Sequence, residues 1–285
     1  MTHPAMLPLI INLAPTGMVP TKAQSPHLPL ASAEIAADCA EAVTLGATML
    51  HLHARDADGE PSCDPHIIAE LIARVRAAAP GAVIVATTSG RRVQAVESRA
   101  SCLWLEGDAK PDMASLTLSS LNFASEASLN PPQTIMRLAS IMQERGIRPE
   151  LEVFDLGMVN FAKILIDKGL LQPPFYFNIL LGNAASAQAS LLHLGALVAD
   201  LPPQSIWSVG GIGRFQTQAV ALGVALGHGI RTGLEDNLWL DQERSKPASN
   251  AQLLARAVAL AKAQDRAIAT AAEVRSRLGL EARHA

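Results

Sequence analysis

Apolar and polar positions along this chain repeat as a unit. A short apolar run gives way to a loop of Gly, Pro and small polar residues, then to a longer segment with apolar residues at helical spacing. The apolar runs fall at 9–13, 47–53, 82–87, 111–117, 149–153, 174–181, 205–209 and 229–233, and each predicts a buried strand. Helical patterns follow at 32–45, 65–78 and 94–105, in a segment ending near Arg145-Gly146, and at 156–168, 184–197 and 216–226. Two more, at 253–263 and 270–278, close the chain. Asp64-Pro65 is a clear helix start, an N-cap aspartate before a proline at the first helical position. Eight strand–helix alternations in 285 residues are most economically closed as a (β/α)8 TIM barrel of the α/β class. A doubly wound open sheet is the alternative. No linker-like stretch divides the chain, so a single barrel domain over 1–285 is expected.

The strand pattern decides which polar residues share a face. Residues i and i+2 of a strand point the same way. His51 and His53, ending the run Met49-Leu50-His51-Leu52-His53, therefore project side by side. Two such imidazoles suit one metal ion; taken alone, a pair of satisfied or exposed histidines fits as well. In a barrel the chemistry gathers at the C-terminal strand ends, and polar residues cluster there. Strand three ends in Thr87-Thr88-Ser89-Gly90, and strand four carries Ser115 and Thr117 on one face. Strand five carries Glu152 among apolar neighbours, where a carboxylate needs a cation, a metal or exposure. Strand eight runs into Arg231-Thr232-Gly233-Leu234-Glu235-Asp236-Asn237. Ser115 and Thr117 could equally bond backbone, and Arg231 could simply neutralise Glu235. A joint reading makes His51, His53 and Glu235 a three-ligand zinc set with an open position. Asp236 is then left as a base, with Arg231 holding it ionised and oriented. Such a site polarises a ketone and stabilises an enolate, the chemistry of C–C bonds next to a carbonyl. Gly210-Gly211-Ile212-Gly213 suits either a phosphate or a tight turn and matches neither the dinucleotide nor the P-loop pattern.

Composition narrows the classes. Hydrophobic residues are 49 % and charged residues 17 % of the chain, enough for a sizeable core. A net charge of −3 with 4 % aromatics gives no footprint for nucleic acid and no polybasic membrane patch. No apolar run reaches the ~20 residues of a membrane-spanning helix. The stretch 1–6 has no positively charged region before its short apolar run, so no signal peptide is expected. Cys39, Cys63 and Cys102 are odd in number and far apart, which predicts no disulfide framework. Cys39 is expected in the core, and the setting is expected to be reducing and cytoplasmic.

Several stretches together carry a family resemblance over residues 9–272. They are Ala14-Pro15-Thr16-Gly17, His51-Leu52-His53-Ala54-Arg55, Pro111-Asp112-Met113-Ala114-Ser115-Leu116, Leu121-Asn122-Phe123, Glu150-Leu151-Glu152-Val153, Gly211-Ile212-Gly213-Arg214, and the Gly229 to Asn237 run. In these the chain resembles the β-keto acid cleavage enzymes. The resemblance implies a (β/α)8 barrel, a homotetramer, one catalytic zinc per subunit and acetyl-CoA as co-substrate. The implied reaction turns a β-keto acid and acetyl-CoA into acetoacetate and a new acyl-CoA, by CoA transfer and retro-Claisen cleavage. It places zinc ligands at His51, His53 and Glu235, and the catalytic aspartate at Asp236 with Arg231 as its partner. It places substrate-binding hydroxyls at Thr87, with Thr88 beside it, and at Ser115, and a site glutamate at Glu152.

Two departures bear on the substrate. Members acting on an amino-bearing acid have a glutamate in the loop after strand one, and Val19 stands there in this chain. A valine cannot pair with an ammonium, so a neutral, apolar tail is expected. Lys22 nearby is expected to be an exposed loop lysine. Thr87-Thr88-Ser89-Gly90 replaces Ser-Thr-Gly-Gly, which alters pocket shape more than chemistry. A class II metal-dependent aldolase or hydrolase, or a non-catalytic metal-binding barrel, are the rival expectations.

Overall fold

The apolar runs pair as parallel strands and close into a ring. The computed structural model describes residues 6–283. Residues 1–5, which carry most of the stretch read for a signal peptide, lie outside the described residues. The strands are β1 (Ile10–Leu13), β2 (Met49–Leu52), β3 (Val83–Ala86), β4 (Met113–Thr117), β5 (Arg148–Val153), β6 (Phe175–Leu181), β7 (Ser205–Gly211) and β8 (Gly229–Thr232). They lie side by side in chain order, and β8 closes on β1 from Ile10↔Gly229 to Leu13↔Thr232. The closure selects the barrel over the open sheet.

Around the ring pack α1 (Ser32–Thr44), α2 (Pro65–Ala78), the single turn α3 (Val96–Arg99), α4 (Pro132–Glu144), α5 (Leu156–Asp167), α6 (Leu191–Asp200), α7 (Gln216–Leu226) and α8 (Asn250–Lys262). Asp64 caps α2 by accepting from the His66 N–H, and Pro65 opens that helix. No helix among the described residues is long and apolar enough to cross a membrane.

Period-two alternation sorts each strand into two faces. Outward residues such as Ile11, Leu50, Ile84, Leu151 and Val209 join helix residues such as Ile35, Cys39, Ile72 and Leu138 in the main core. Inward residues change character along the barrel. Near its N-terminal end Ile10, Met49, Val83, Met113 and Tyr176 form an apolar plug with Val274 and Leu278 of α9 (Ala271–Leu278). Further up, the inward positions are Asn12, His51, Ser115, Glu150, Asn178, Ser208 and Arg231, all buried. The apolar layer seals one mouth, and the polar layer faces the other.

Three segments depart from the sequence pattern. The helix expected at 94–105 is α3 followed by a 3-10 turn, Ser101–Trp104. Its Arg99 turns inward to the Thr88 and Leu129 carbonyls and Asn130 Oδ1, and these long-range bonds break the helical run. The helix expected from residue 184 begins at Leu191, capped by Ser190; the preceding small residues form a loop tied by Ala187 N–H to Phe154 O. A two-stranded hairpin, Leu121–Asn122 against Ala127–Ser128, rises over β4 where only a loop was expected.

Asp112, at the N-terminal end of β4, belongs to this closed end and not to the chemistry. Its carboxylate accepts from Arg275 Nη2 at 2.9 Å, Arg76 Nη1 at 3.3 Å and Ile84 N–H at 2.9 Å, with Arg283 Nε at 3.4 Å. Burial opposes its charge, but the Arg275 hydrogen bond and the Arg76 charge outweigh burial and hold its pKa below the ordinary value. Asp112→Ala should cost about 3 kcal/mol, because it leaves buried guanidinium groups uncompensated. Urea unfolding at neutral pH checks this. Because the folded pKa is depressed, the contribution is complete above about pH 4. It is lost as pH falls through the folded value, so wild type and variant should converge in acid.

Candidate active site

His51 is the last-but-one residue of β2, and His53 follows the strand end; both are buried. Their Nε2 atoms lie 3.2 Å apart. Glu235, from the loop after β8, brings Oε1 to 3.1 Å from His53 Nε2 and Oε2 to 4.0 Å from His51 Nε2. The β1 loop fixes this approach. Ala14 N–H donates to Thr232 O at 2.9 Å, and Glu235 N–H donates to Ala14 O at 3.1 Å. Two glycines permit the contact. Gly233 sits at φ +141, and a Cβ there would collide with Ala14 O; Gly17 sits at φ +70, and a Cβ there would meet Glu235 Cγ at 2.6 Å.

Glu150 orients the first histidine. His51 Nδ1 donates to Glu150 Oε2 at 2.6 Å, which leaves the Nε2 lone pair facing His53 and Glu235. Asn12 and Asn178 donate to the other Glu150 oxygen at 2.6 and 3.3 Å. Burial disfavours charge on both histidines. On His51 the Glu150 carboxylate outweighs it and raises the pKa, whereas on His53 burial prevails and the pKa falls.

Arg231 is the hub of the remaining charges. Its Nε and Nη2 donate to the two oxygens of Asp236 at 2.9 and 3.1 Å, a bidentate fork. Its Nη1 donates to Glu152 Oε1 at 3.2 Å, and its Nη2 lies 2.8 Å from Glu235 Oε1. Glu152 also accepts from Thr117 Oγ1 at 2.7 Å. Burial raises the pKa of Asp236 in spite of Arg231, and that of Glu152 likewise. For Glu235 burial is outweighed by Arg231 and the histidines, which hold it well below the carboxylate range. Arg231 therefore orients Asp236 firmly, while burial makes it a stronger base than an exposed aspartate.

These donors fit a divalent cation. Two imidazole lone pairs and a carboxylate converge, and His51, His53 and Glu235 offer ligand atoms within 4.8 Å of one another. Glu235 Oε2 and His53 Nδ1 are buried without a hydrogen-bond partner among the described residues. A second grouping, His51 with Glu150 and Glu152, is also close. Its members are already bonded to each other, to Asn12 and to Thr117, so the first set is the better holder.

The site opens into a cavity of about 300 Å³ that Val19, Thr87, Glu152, Arg231, Glu235 and Asp236 all line. Thr88 and Ser115 bond each other instead: Thr88 Oγ1 donates to Ser115 O at 2.6 Å, and Thr88 N–H donates to Ser115 Oγ at 3.1 Å. Lys22 lies outside, paired with Glu34 at 2.9 Å and half-exposed. Another cavity, of about 350 Å³, lies at the N-terminal end beside Arg148 and Gly279 and holds none of these residues. The sequence reading stopped at Glu152 and passed over Glu150. The signal was available, since the spacing that pairs His51 with His53 also pairs Glu150 with Glu152.

Residues 8–280 match the β-keto acid cleavage enzyme family. The chain belongs to that family. A 3-keto-5-aminohexanoate cleavage enzyme of Fusobacterium nucleatum is 36 % identical over 96 % of this chain and 98 % of its own. A 3-oxoadipate:acetyl-CoA acetyltransferase of Cupriavidus necator is also 36 % identical, over 96 % of this chain and 95 % of its own. Among solved structures, ObcA in ternary complex with a C4-CoA adduct and oxalate superposes with a TM-score of 0.79. That match covers 90 % of this chain and 68 % of ObcA at 22 % identity, which is a likeness of fold. This member of the family carries its polar cluster at the C-terminal barrel mouth, where barrels place chemistry.

Gly17→Ala tests how Glu235 is held. The new methyl group overlaps the Glu235 side chain, so affinity for a divalent cation should fall by about tenfold or more while the barrel persists. Titration of metal-free protein with Zn²⁺ against a chelating indicator, beside circular dichroism, measures both. An unchanged affinity would contradict the proposed dependence of Glu235 on this glycine.

Proposed function

We propose that this chain is a zinc-dependent enzyme that converts a β-keto acid and acetyl-CoA into acetoacetate and a new acyl-CoA. The observation that carries the proposal is the pairing of Glu235 with Asp236: one faces the histidines, and the next is held bidentately by Arg231 in the same cavity. Relatives named for acetyl-CoA transfer and for keto acid cleavage support it.

In this proposal His51, His53 and Glu235 hold the zinc. When bound, zinc polarises the keto oxygen and acidifies the neighbouring C–H. Asp236 takes a proton from C2 of the β-keto acid, and Arg231 keeps its carboxylate aimed at that carbon. The C2 carbanion attacks the acetyl carbonyl, and the CoA thiolate leaves. The thiolate adds to the substrate's own keto carbon, and the C2–C3 bond breaks. The new acyl-CoA departs, and Asp236 returns its proton to the acetoacetate carbanion. Thr87, on the cavity wall, stabilises carboxylate and oxyanion; Thr88 and Ser115, bonded to each other behind that wall, hold the β3 loop in place. Glu152 fixes the far side of Arg231. Val19 stands where an ammonium would need a carboxylate, which disfavours a cationic 5-amino acid as the substrate.

The unit proposed is one barrel domain over 1–285, acting in the cytoplasm as a homotetramer. Leu156 and Ile164 of α5 and Leu191 and Leu192 of α6 are exposed on neighbouring helices, apolar surface of the kind a subunit contact covers. Light scattering should give four times the chain mass of 30.0 kDa.

Asp236→Ala should lower kcat by about 10²- to 10⁴-fold with metal content unchanged. Glu235→Ala should lose the metal itself. Acetoacetate release from a β-keto acid panel, with elemental analysis of each protein, reads both. Product formation that needs no acetyl-CoA would favour an aldolase or hydrolase, and substantial turnover by Asp236→Ala would sink the base assignment.

A further inference from the structure

Arg91, in the loop after β3, lines the same cavity as the histidines, Glu235 and Asp236. It has no part in the chemistry above. Its guanidinium lies over the Phe123 ring at 3.8 Å, and Phe123 is braced edge-on by Phe154 at 5.7 Å. Such a stack holds an arginine in one plane. Among the described residues its ion-pair partner is Glu126 of the hairpin, 3.0 Å from Nε, and Glu126 is shared with Arg92 at 3.7 Å. The geometry is too oblique for a hydrogen bond, and Arg91 Nε remains buried without one among the described residues. Two guanidinium groups thus share a single carboxylate, and neither Nη atom of Arg91 donates to a described residue.

The other cavity cations differ. Arg231 is engaged by Asp236, Glu152 and Glu235, and Arg244 is exposed at the rim. Among the described residues of the wall, Arg91 offers a preoriented, incompletely neutralised fork. A planar fork of this kind matches a carboxylate bidentately. Val19, which lines the same cavity, offers no carboxylate to a cationic tail.

The geometry points to a substrate whose far end is anionic: a 3-oxo dicarboxylic acid, with its terminal carboxylate on Arg91. The inference rests on the acetyl-CoA-dependent cleavage proposed above and names the class of acid that reaction takes. The bonds made and broken are those already given. The acyl-CoA product then carries a free terminal carboxylate, and the acetyl group leaves as acetoacetate. The neutral tail expected from Val19 alone gives way to an acidic one.

The test compares 3-oxo acids of equal chain length that end in a carboxylate or its methyl ester, scored by acetoacetate release. The wild-type protein should prefer the carboxylate by about 10- to 100-fold in kcat/KM, the range of one charge-assisted hydrogen bond. No preference, or preference for the ester, overturns the inference and requires no variant. Arg91→Ala should erase the preference through KM for the acid, and Arg91→Lys should retain part of it. A rise in KM for acetyl-CoA with the acid preference intact would instead place Arg91 against CoA phosphates and overturn the assignment. If no acid is turned over, the cleavage proposal fails, and calorimetry decides the tail site separately. Glutarate should bind wild type more tightly than butyrate, with the difference reduced in Arg91→Lys and lost in Arg91→Ala; equal binding overturns the site.

Discussion

The site depends on one buried cation. Arg231 is 2 % exposed and stands at the end of β8 among carboxylates. A guanidinium without water is stable only where carboxylates replace its hydration. Asp236 supplies two bonds, Glu152 a third, and Glu235 lies within ion-pair distance. The compensation overshoots. Glu150, Glu152 and Asp236 are buried, and Glu235 is only 17 % exposed, so four carboxylates face one guanidinium. The missing positive charge is wanted most where a carboxylate oxygen and two imidazole nitrogens converge. Charge deficit and donor geometry coincide at His51, His53 and Glu235, which is the physical case for a divalent cation there.

The barrel makes such a cluster tolerable by layering its interior. Met49 precedes His51 on the inward face of β2, Met113 precedes Ser115 on β4, and Tyr176 precedes Asn178 on β6. Two residues along each strand change an apolar plug into a polar chamber. The plug and α9 close the N-terminal mouth, so solvent reaches the polar layer from the opposite end. Every donor that must not move lies on a strand or within a few residues of its end. Glu235 is the farthest from its strand, and the β1 loop clamps it by backbone bonds and by the close approach of Gly17.

The sequence makes some of this visible and hides the rest for physical reasons. Strands and most helices are legible because burial imposes periods of two and 3.6 on a single chain. His51 and His53 are legible because their relation is local. The engagement of Thr88 with Ser115 is not, because it depends on which β3 residue lies opposite β4. The broken helix near Arg99 and the late start of α6 reflect tertiary hydrogen bonds that override local pattern. Arg91 looks like any loop arginine until Phe123, from a hairpin more than thirty residues away, is seen beneath it.

In the proposed reaction, chemistry and selectivity lie on different parts of the molecule. His51 with Glu150, and Arg231 with Glu152, are strand residues in two hydrogen-bonded pairs packed together, and changing any of them disturbs its neighbours. Arg91 and Phe123 are tied to each other and to Glu126, not to those pairs. The β3 loop and the hairpin form a small unit whose charge can change while the His51 and His53 nitrogens stay where Glu150 and β2 hold them. Val19 enters from a third direction, on the loop that also clamps Glu235. A residue there can alter the tail pocket only if it leaves Gly17 and Ala14 undisturbed. That constraint favours a side-chain swap such as glutamate for valine over any change of loop length.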